Sequence, residues 1–399
     1  MMVTVPVSSV ASQIRGVSYS KGDAIETPRP GYVMLLRANN ITDSGLNTDD
    51  VVFVPESRVS IKQRLLPGDI VVAASSGSLD VVGKAARVTK QMDATFGAFC
   101  KVVRPGEGVD AAYLSSFFQT QNYRRTISSL AAGANINNLR NEHIDNLDLP
   151  LPYKHGKPDL DEQKRIAALL DKADALRRKR QEALRLTDDF LRASFLDMFG
   201  DPLTNIRQLP MKPLREFGEI VTGNTPPRSE PENFGSAVEW IKSDNINTPN
   251  YYLTSAEERL SPLGAAKARK VPANSILVTC IAGSPSCIGN VALTNREVAF
   301  NQQINAVVPA NDTDPFFLFT QFLVGKKKIQ NASTNGMKGM VSKGTFSEIE
   351  FLAPPEAKQR EFGNIFRHME ELHRKNEDAF TATETLFSAL QQRAFSGEL

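Results

Sequence analysis

The stretch that decides the fold is Gln163–Phe199, QKRIAALLDKADALRRKRQEALRLTDDFLRASFLDMF, because its apolar and small residues recur at steps of three and four. The positions of this stripe are Ile166, Leu169, Ala173, Leu176, Ala183, Thr187, Phe190 and Ser194. This spacing predicts one long amphipathic helix, about 55 Å in length at 1.5 Å per residue. A single helix of this kind cannot bury its stripe alone, so a partner helix is expected.

The same stripe recurs near the C-terminus, each position lying 196 residues beyond its counterpart, with Asn376 matching Arg180. The second set is Phe362, Ile365, Met369, Leu372, Asn376, Ala379, Thr383, Leu386 and Leu390. We predict that the two helices pair as a coiled coil with a polar position in mid-seam. The predicted coil or partner interface comprises Ile166, Leu169, Leu176, Phe190, Phe362, Ile365, Met369, Leu372 and Leu386. The alternative, two ordinary helices of a globular core, is disfavoured by their shared register and length.

Composition places this chain among multidomain proteins without a membrane span. A length of 399 residues predicts two or more domains, and no apolar run approaches the roughly 18 residues of a membrane helix. The N-terminus lacks the features of a signal peptide. Three cysteines, Cys100, Cys280 and Cys287, cannot form a disulfide framework and predict reduced thiols in a cytoplasmic protein.

The charge is nearly balanced, with a formal net charge of +2. Residues 151–200 carry 11 basic and 9 acidic side chains, whereas residues 356–399 carry 6 and 8. The two predicted helices therefore have opposite net charge, which favours their pairing.

The segments before each helix also repeat, which predicts two copies of one mixed α/β domain. Leu35–Ile41 matches Trp240–Ile246 at an offset of 205, and Ile70–Val72 matches Ile276–Val278 at an offset of 206. In both copies a strand-like segment, Phe96–Val103 or Val298–Val308, precedes a short helix. These helices begin after Asp110 and Asp314, a residue type favoured at helix N-caps. Each ends in a basic cluster, and a Gly-rich polar turn follows.

The predicted order is a domain over residues 1–150, a long helix over 151–200, a domain over 201–355 and a long helix over 356–399. The intervening loops, such as 17–34 and 224–239, differ most between the copies. A shared framework with divergent loops predicts two versions of one recognition module.

This arrangement resembles the specificity subunit of type I restriction–modification enzymes over essentially the whole chain. The resemblance is carried by the duplicated junctions Leu149-Pro-Leu-Pro152 to Glu162-Gln163 and Ala353-Pro-Pro355 to Lys358-Gln359. It implies an α+β fold in which two similar α/β target recognition domains are separated by two long antiparallel helices, with a pseudo-twofold internal repeat. Each domain would read one half of a bipartite double-stranded DNA target.

The resemblance also implies partners and a division of labour. The helices would act as spacer and as docking site for two modification (methyltransferase) subunits, and restriction (endonuclease and translocase) subunits would join them. The chain itself would be non-catalytic and would bind no cofactor, because S-adenosylmethionine is expected on the methyltransferase subunits.

Deleting whole heptads from both helices is expected to change the number of unread base pairs between half-sites. An unchanged gap in a methylation map would rule out the ruler function.

Two other functions are weighed against this one. A coiled-coil scaffold could carry α/β domains that bind proteins, and an enzyme could carry its own active site. Asp314-Pro-Phe-Phe317 departs from the Asp/Asn-Pro-Pro-Phe/Tyr motif of adenine methyltransferases and lacks an accompanying Gly-rich cofactor loop. The four histidines show no metal-ligand spacing, and His368 and His373 are predicted to lie at the surface. We therefore expect no catalytic residue and no metal site.

Candidate DNA contacts are basic residues suited to phosphates and Asn or Arg side chains suited to base edges. Asn40 and Asn245 could equally be turn residues. The first-domain candidates are Arg37, Asn39, Asn40, Arg124, Arg125, Asn137 and Arg140. The second-domain candidates are Arg228, Lys242, Asn245, Lys326, Lys327, Lys328, Lys338 and Lys343.

Overall fold

The computed structural model describes residues 1–131, 137–334 and 339–399, apart from the side chains of Lys21 and Asn137. The chain divides into two compact units. Unit 1 contains residues 1–182 and 377–399, and unit 2 contains residues 183–376. Within the described ranges, no helix combines the length and apolar character needed to cross a bilayer.

Two long helices dominate the element order, as the sequence predicts. The helices are α1 (Ala111–Phe117), α2 (Gln121–Ala131), α3 (Asn141–Asp145), α4 (Leu160–Phe199), α5 (Pro262–Lys267), α6 (Pro315–Val324), α7 (Lys326–Asn331), α8 (Lys343–Glu348) and α9 (Glu356–Ser396). Helix α4 starts nine residues inside the segment predicted for it, because residues 151–154 and 157–158 belong to strands and a turn joins them.

The strands of unit 1 form small sheets, of which the largest has four strands. The strands are β1 (Met2–Pro6), β2 (Ala11–Arg15), β3 (Tyr32–Leu36), β4 (Ile41–Thr42), β5 (Gly45–Leu46), β6 (Val52–Pro55), β7 (Ile70–Ala73), β8 (Ser75–Ser76), β9 (Ala85–Arg87), β10 (Ala94–Phe96), β11 (Cys100–Pro105), β12 (Asn137–Asn138), β13 (Asp148–Lys154) and β14 (Lys157–Pro158). The four-stranded antiparallel sheet has the order β2-β11-β7-β9, and β3 pairs in parallel with β10.

Unit 2 repeats this topology. Its strands are β15 (Met211–Pro213), β16 (Gly218–Thr222), β17 (Phe234–Ile241), β18 (Arg259–Leu260), β19 (Lys270–Val271), β20 (Ile276–Thr279), β21 (Ile281–Ala282), β22 (Val291–Leu293), β23 (Val298–Phe300), β24 (Ile304–Pro309), β25 (Gly339–Met340) and β26 (Glu350–Leu352). The order β16-β24-β20-β22 corresponds strand for strand to the sheet of unit 1, and β17 pairs in parallel with β23. The predicted internal repeat is therefore confirmed.

Equivalent hydrogen bonds join each long helix to the α/β domain that precedes it. The Gln163 side chain accepts from the Asp110 backbone N–H at 2.8 Å, and its counterpart Gln359 accepts from the Asp314 N–H at 3.3 Å. Asp110 and Asp314 in turn cap α1 and α6. Each long helix is thus attached to its own domain by the same buried glutamine.

Gln163→Leu is expected to destabilise unit 1. The Gln163 side chain also donates to the Gly108 carbonyl at 3.1 Å, so leucine would leave a donor and an acceptor without partners. Because an unsatisfied buried group costs about 1–3 kcal/mol, the thermal unfolding midpoint of the full chain should fall by several degrees. Lys164→Leu, at the neighbouring exposed position, is the control and should leave the midpoint nearly unchanged. Equal midpoints for the two variants would contradict this role.

Within each unit the two long helices pack against each other and run antiparallel. In unit 1, Ile166 and Ala394 share one core cluster, while Arg177 bonds Glu384 at 3.2 Å. In unit 2, Phe199 contacts Phe362 with ring centroids 5.8 Å apart. The Asp188 carboxylate, also in unit 2, lies 3.3 Å from Nδ1 of His373.

The predicted coil seam is only partly correct. Ile166 and Phe362 are buried, and Leu169, Ile365 and Met369 are half-buried. The prediction is wrong for four exposed seam residues, Leu176, Phe190, Leu372 and Leu386. At two of these sites the following residue is less exposed: Arg177 is half-buried at 16% side-chain exposure, and Leu191 is buried at 1%.

This shift has a physical reason. One residue corresponds to a rotation of about 100° around the helix. The buried faces must contact the domain cores as well as each other, and aromatic side chains of the domains pack on both helices. In unit 1, Tyr113 contacts Phe395, and in unit 2, Phe317 contacts Phe195.

Polar contacts stabilise the middle of the helix pair. His373, predicted at the surface, is largely buried beside Asp188, and its ring lies 5.0 Å from that of Tyr251. The Tyr251 hydroxyl donates to the Asp188 carboxylate. Burial alone would raise the pKa of Asp188, but the hydrogen bonds from His373 and Tyr251 hold that pKa below its ordinary value.

Candidate nucleic-acid interface

The turn after β3 holds three of the predicted contacts. Asn40 is buried at 1% exposure, its Oδ1 accepts from the Arg37 N–H at 2.7 Å, and its Nδ2 donates to the Asp50 carbonyl. Arg37 and Asn39 both bond the Asp50 carboxylate at 2.8 Å. Because its amide is used within the turn, Asn40 matches the turn alternative. Arg37 and Asn39 stay candidates.

The corresponding turn after β17 is built in the same way. Asn245 Oδ1 accepts from the Lys242 N–H at 3.0 Å, and Asn245 Nδ2 donates to the Ser255 carbonyl at 3.1 Å. Because its amide is used within the turn, Asn245 matches the turn alternative.

Arg228 and Lys242 meet at one carboxylate. Arg228 Nη1 lies 3.0 Å from Oε1 of Glu258, and Lys242 Nζ also bonds that group. Both cations lie over the Trp240 ring, at 5.3 and 5.5 Å from its centroid. The hydrogen bond from Arg228, followed by that from Lys242, lowers the pKa of Glu258 despite partial burial. The cluster keeps one net positive charge, which suits a phosphate contact.

The basic clusters were predicted at the ends of the short helices that follow Asp110 and Asp314. The structure instead places them in the first turns of the next helices, α2 and α7. Arg124 lies in α2 and donates to the carbonyls of Val82 and Asp80, at 2.8 and 2.9 Å. Its counterpart Lys326, at the start of α7, donates to the Ser286 carbonyl at 2.7 Å. These two candidates stabilise equivalent loops.

The remaining basic residues of the two clusters are either bonded within their own domain or exposed. Lys328 Nζ donates to the Glu350 carbonyl at 2.9 Å, and burial lowers the pKa of Lys328. Arg125 and Lys327 are exposed. Among these basic residues, Arg125 and Lys327 are therefore the better placed for phosphates.

Lys327→Ala is expected to weaken DNA binding by the assembled complex and to reduce the slope of log K against log salt concentration by about one. Lys326→Ala should instead lower the thermal midpoint, because the loop containing Ser286 loses its charged donor. Titrations at several salt concentrations check the first variant, and thermal unfolding checks the second. An unchanged slope for Lys327→Ala would remove this residue from the interface.

The other candidates stay predictions. Arg140 is exposed and bonds Glu142 at 3.1 Å, and Lys343 is the exposed first residue of α8. The backbone of Asn137 belongs to β12, which pairs with β8, but its side chain is outside the described residues. Lys338 also lies outside them.

Sequence reasoning missed a basic cleft beside the turn between β10 and β11. Arg15, Lys101, Arg140 and the exposed Phe99 line a cleft of about 360 Å³. Lys101 Nζ donates to Asn141 Oδ1 at 2.8 Å, and burial lowers the pKa of Lys101. Cations around an exposed aromatic ring are typical of nucleic-acid interfaces. The available signal was Phe99, an aromatic residue between two strand segments that were predicted as one.

The adjoining cleft extends this surface. It measures about 750 Å³ and is lined by Tyr19, Glu26, Arg37 and Asn39, with Phe99 again on its wall. The predicted Arg37 and Asn39 are thereby brought into one surface with the residues that sequence reasoning missed.

Comparison with known proteins decides the family. The profile of the family described as "Type I restriction modification DNA specificity domain" matches residues 12–186 and 209–379. This chain belongs to that family. The two matched segments each contain one α/β domain and most or part of the following long helix, so the internal repeat of the chain is a repeat of the specificity domain.

Named relatives of this specificity-domain protein extend along nearly its whole length. It is 28% identical to the StySPI specificity subunit of Salmonella potsdam, over 99% of this chain and 89% of the relative. It is also 28% identical to the EcoKI specificity subunit of Escherichia coli K12, over 100% of this chain and 89% of the relative. The crystal structure of a type I S subunit from M. genitalium has the same fold, with a TM-score of 0.60, 14% identity and coverage of 99% and 96% of the two chains.

The long helices of this specificity-domain protein carry exposed apolar residues at two repeat-related levels. In unit 1, Leu176 and Leu386 lie beside Arg177 and Glu384, which form an ion pair, so they are at one level of the antiparallel helices. In unit 2, Phe190 and Leu372 lie beside Asp188 and His373 in the same way. Leu372 is the 196-residue counterpart of Leu176, and Leu386 is that of Phe190. We call these pairs patch 1 and patch 2.

Proposed function

We propose that this chain is the sequence-specific DNA-recognition subunit of a type I restriction–modification system. Each α/β domain, residues 1–150 or 201–355, reads one half of a bipartite duplex target. The observation that carries the proposal is the duplication of the whole domain framework, down to the buried glutamine contacts, with different side chains at the exposed turns. One framework with two surfaces is suited to recognising two different short sequences.

The chemistry of methylation is assigned to other chains. Methyltransferase subunits supply the S-adenosylmethionine site, restriction subunits add cleavage, and this chain selects the sequence. The nearly balanced charge of +2 supports this division. A chain with so little excess positive charge gains little phosphate affinity by itself, so binding is completed within the complex.

Patch 1 and patch 2 are the proposed docking sites for two methyltransferase subunits. Exposed leucine and phenylalanine side chains at equivalent levels of a helix pair are suited to burial by a partner. Because the patches are related by the internal repeat, they fit two copies of one partner. The predicted interface residues Leu176, Phe190, Leu372 and Leu386 thus keep a partner function although they are not in the seam.

A footprinting experiment tests the function against the scaffold alternative. This chain is mixed with a genomic fragment library in the presence or absence of its methyltransferase subunits, and protected fragments are sequenced at two salt concentrations. DNA recognition predicts protection of one split sequence that requires the methyltransferase subunits and weakens with salt. Sequence-independent protection, or none by the full complex, would contradict the proposal.

A further inference from the structure

The turn between β10 and β11 in the first domain and the turn between β23 and β24 in the second have equivalent backbone hydrogen bonds. The Phe99 carbonyl accepts from the N–H groups of Ala74 and Ser75, at 2.8 and 3.0 Å. Its counterpart, the Gln303 carbonyl, accepts from those of Cys280 and Ile281, at 2.8 and 3.1 Å. This shared pair of hydrogen bonds fixes the turn, so the side chains at positions 99 and 303 start from equivalent backbone positions.

The turns hold different chemistry. In the first domain Phe99 is 68% exposed and lies on the wall of the two clefts. In the second domain two amides replace it. Gln303 Oε1 accepts from Asn301 Nδ2 at 3.2 Å and from the Ser243 hydroxyl at 3.4 Å, and Gln302 Oε1 accepts from the Thr225 hydroxyl.

These contacts orient the amides. Gln303 Oε1 already accepts two hydrogen bonds from its own domain, and Gln302 Oε1 accepts one. These bonds use both lone pairs of the Gln303 oxygen, so the amide nitrogens are the groups with full hydrogen-bonding capacity towards a ligand. The first-domain turn therefore offers an apolar ring, and the second-domain turn offers hydrogen-bond donors.

We propose that these two turns, Gly97–Phe99 and Asn301–Gln303, are the base-reading elements of the two domains. Phe99 contacts the methyl group of a thymine in the major groove. Gln302 and Gln303 donate to acceptor atoms on a base edge of the other half-site. This inference rests on the proposed function and names the residues that set its specificity.

The surroundings of Phe99 fit this assignment. Apolar side chains recognise the thymine C5-methyl group, which projects into the major groove. Arg15, Arg37 and Arg140 border the two clefts beside the ring, where they can contact phosphates on either side of the base. An exposed phenylalanine between cations thus gains a discriminating contact while its neighbours position the duplex.

Uracil substitution tests the first turn, since deoxyuridine lacks only the thymine methyl group. The assembled complex is titrated with its target duplex and with duplexes in which each thymine is replaced singly by uracil. We expect one uracil in one half-site to weaken binding about four-fold, the effect of losing one methyl contact. Phe99→Ala should weaken binding to the thymine duplex by at least that factor and should no longer distinguish it from this uracil duplex.

The second turn is tested with single base-pair changes in the same duplex. Gln303→Leu is expected to reduce discrimination at one base pair of the other half-site by about 5- to 150-fold, the range of one recognition contact. Ile61→Ala, at an exposed apolar residue elsewhere in the first domain, is the control and should behave as the wild type.

The outcomes separate the two levels of the proposal. If Phe99→Ala retains every thymine–uracil difference, if the first-domain half-site holds no such thymine, or if Gln303→Leu discriminates as the wild type does, the inference is overturned while DNA recognition stands. If the wild-type complex shows no preference for any sequence, the proposed function fails and the inference fails with it.

Discussion

Phe190→Asp is expected to remove one of two methyltransferase subunits from the complex, and Leu386→Asp is expected to remove the other. Phe190 is 55% exposed and Leu386 is 52% exposed, so an aspartate is expected to be tolerated at either position in the free chain. In the complex it would be buried against an apolar surface without a partner. Loss of a central apolar anchor costs about 2–4 kcal/mol of binding free energy, which corresponds to about 30- to 1,000-fold in affinity.

Native mass spectrometry of the co-expressed complex gives the number of methyltransferase copies directly. We expect one copy for either single variant and none for the double variant, with methylation lost in step. Ala168→Asp, at an exposed position of α4 outside both patches, controls for the added charge and should retain two copies. Two copies on the double variant would show that neither patch is a docking site.

Gly223→Ala is expected to destabilise the second domain strongly. A Cβ atom at this position would lie 2.2 Å from the Asn301 carbonyl oxygen and 2.4 Å from that of Phe300, both backbone atoms that cannot rotate away. Gly16, the counterpart in the first domain, would place its Cβ atom 2.0 Å from the Gly97 carbonyl oxygen. Such overpacking typically costs about 1–3 kcal/mol, and a clash with backbone atoms is expected at the upper end because the strands must separate.

The matched control is Gly283→Ala, where a Cβ atom meets no heavy atom within 4 Å. Calorimetry of the full chain should show a lower transition for the second domain in Gly223→Ala only. Because Gly223 and Gly16 lie against the proposed reading turns, Gly223→Ala and the equivalent Gly16→Ala should each first lose DNA recognition at the half-site that their own domain reads. Equal stability of Gly223→Ala and Gly283→Ala would contradict the close approach of the backbone at Gly223.

The internal repeat could be predicted from the sequence because equivalent residues recur at nearly constant offsets. The eight apolar or small positions of the first stripe match their counterparts 196 residues later in burial, and the Asp110 and Asp314 caps occur where the helix-start signals predict them. The matching glutamines, Gln163 and Gln359, were visible as a shared helix start. The function of these glutamines could not be predicted, since it depends on backbone groups some fifty residues earlier in the chain.

The helix seam and the reading turns could not be predicted in the same way. Apolar periodicity alone does not distinguish Phe190 from Leu191, and the choice depends on the aromatic residues of the domain that pack on the helix. Similarly, Phe96–Val103 reads as one continuous strand, whereas the structure divides it at Gly97–Phe99. The turn is fixed by backbone donors from Ala74 and Ser75, which strand propensity does not reveal.

Residue type alone also could not show which candidate DNA contacts are exposed and which are used within their own domain. Arg124 and Arg125 are chemically identical neighbours, but the Arg124 side chain lies against the carbonyls of Asp80 and Val82, and Arg125 is exposed. Which of two basic residues is available to DNA depends on which one faces the domain. Sequence supplies the set of cations, and tertiary contacts select among them.

The most direct test is a genome-wide map of N6-methyladenine in cells that express this chain together with its methyltransferase subunits. The proposed function predicts one motif made of two specific half-sites with a constant number of unread base pairs between them. A single uninterrupted motif, a variable gap, or methylation that does not depend on this chain would contradict the account.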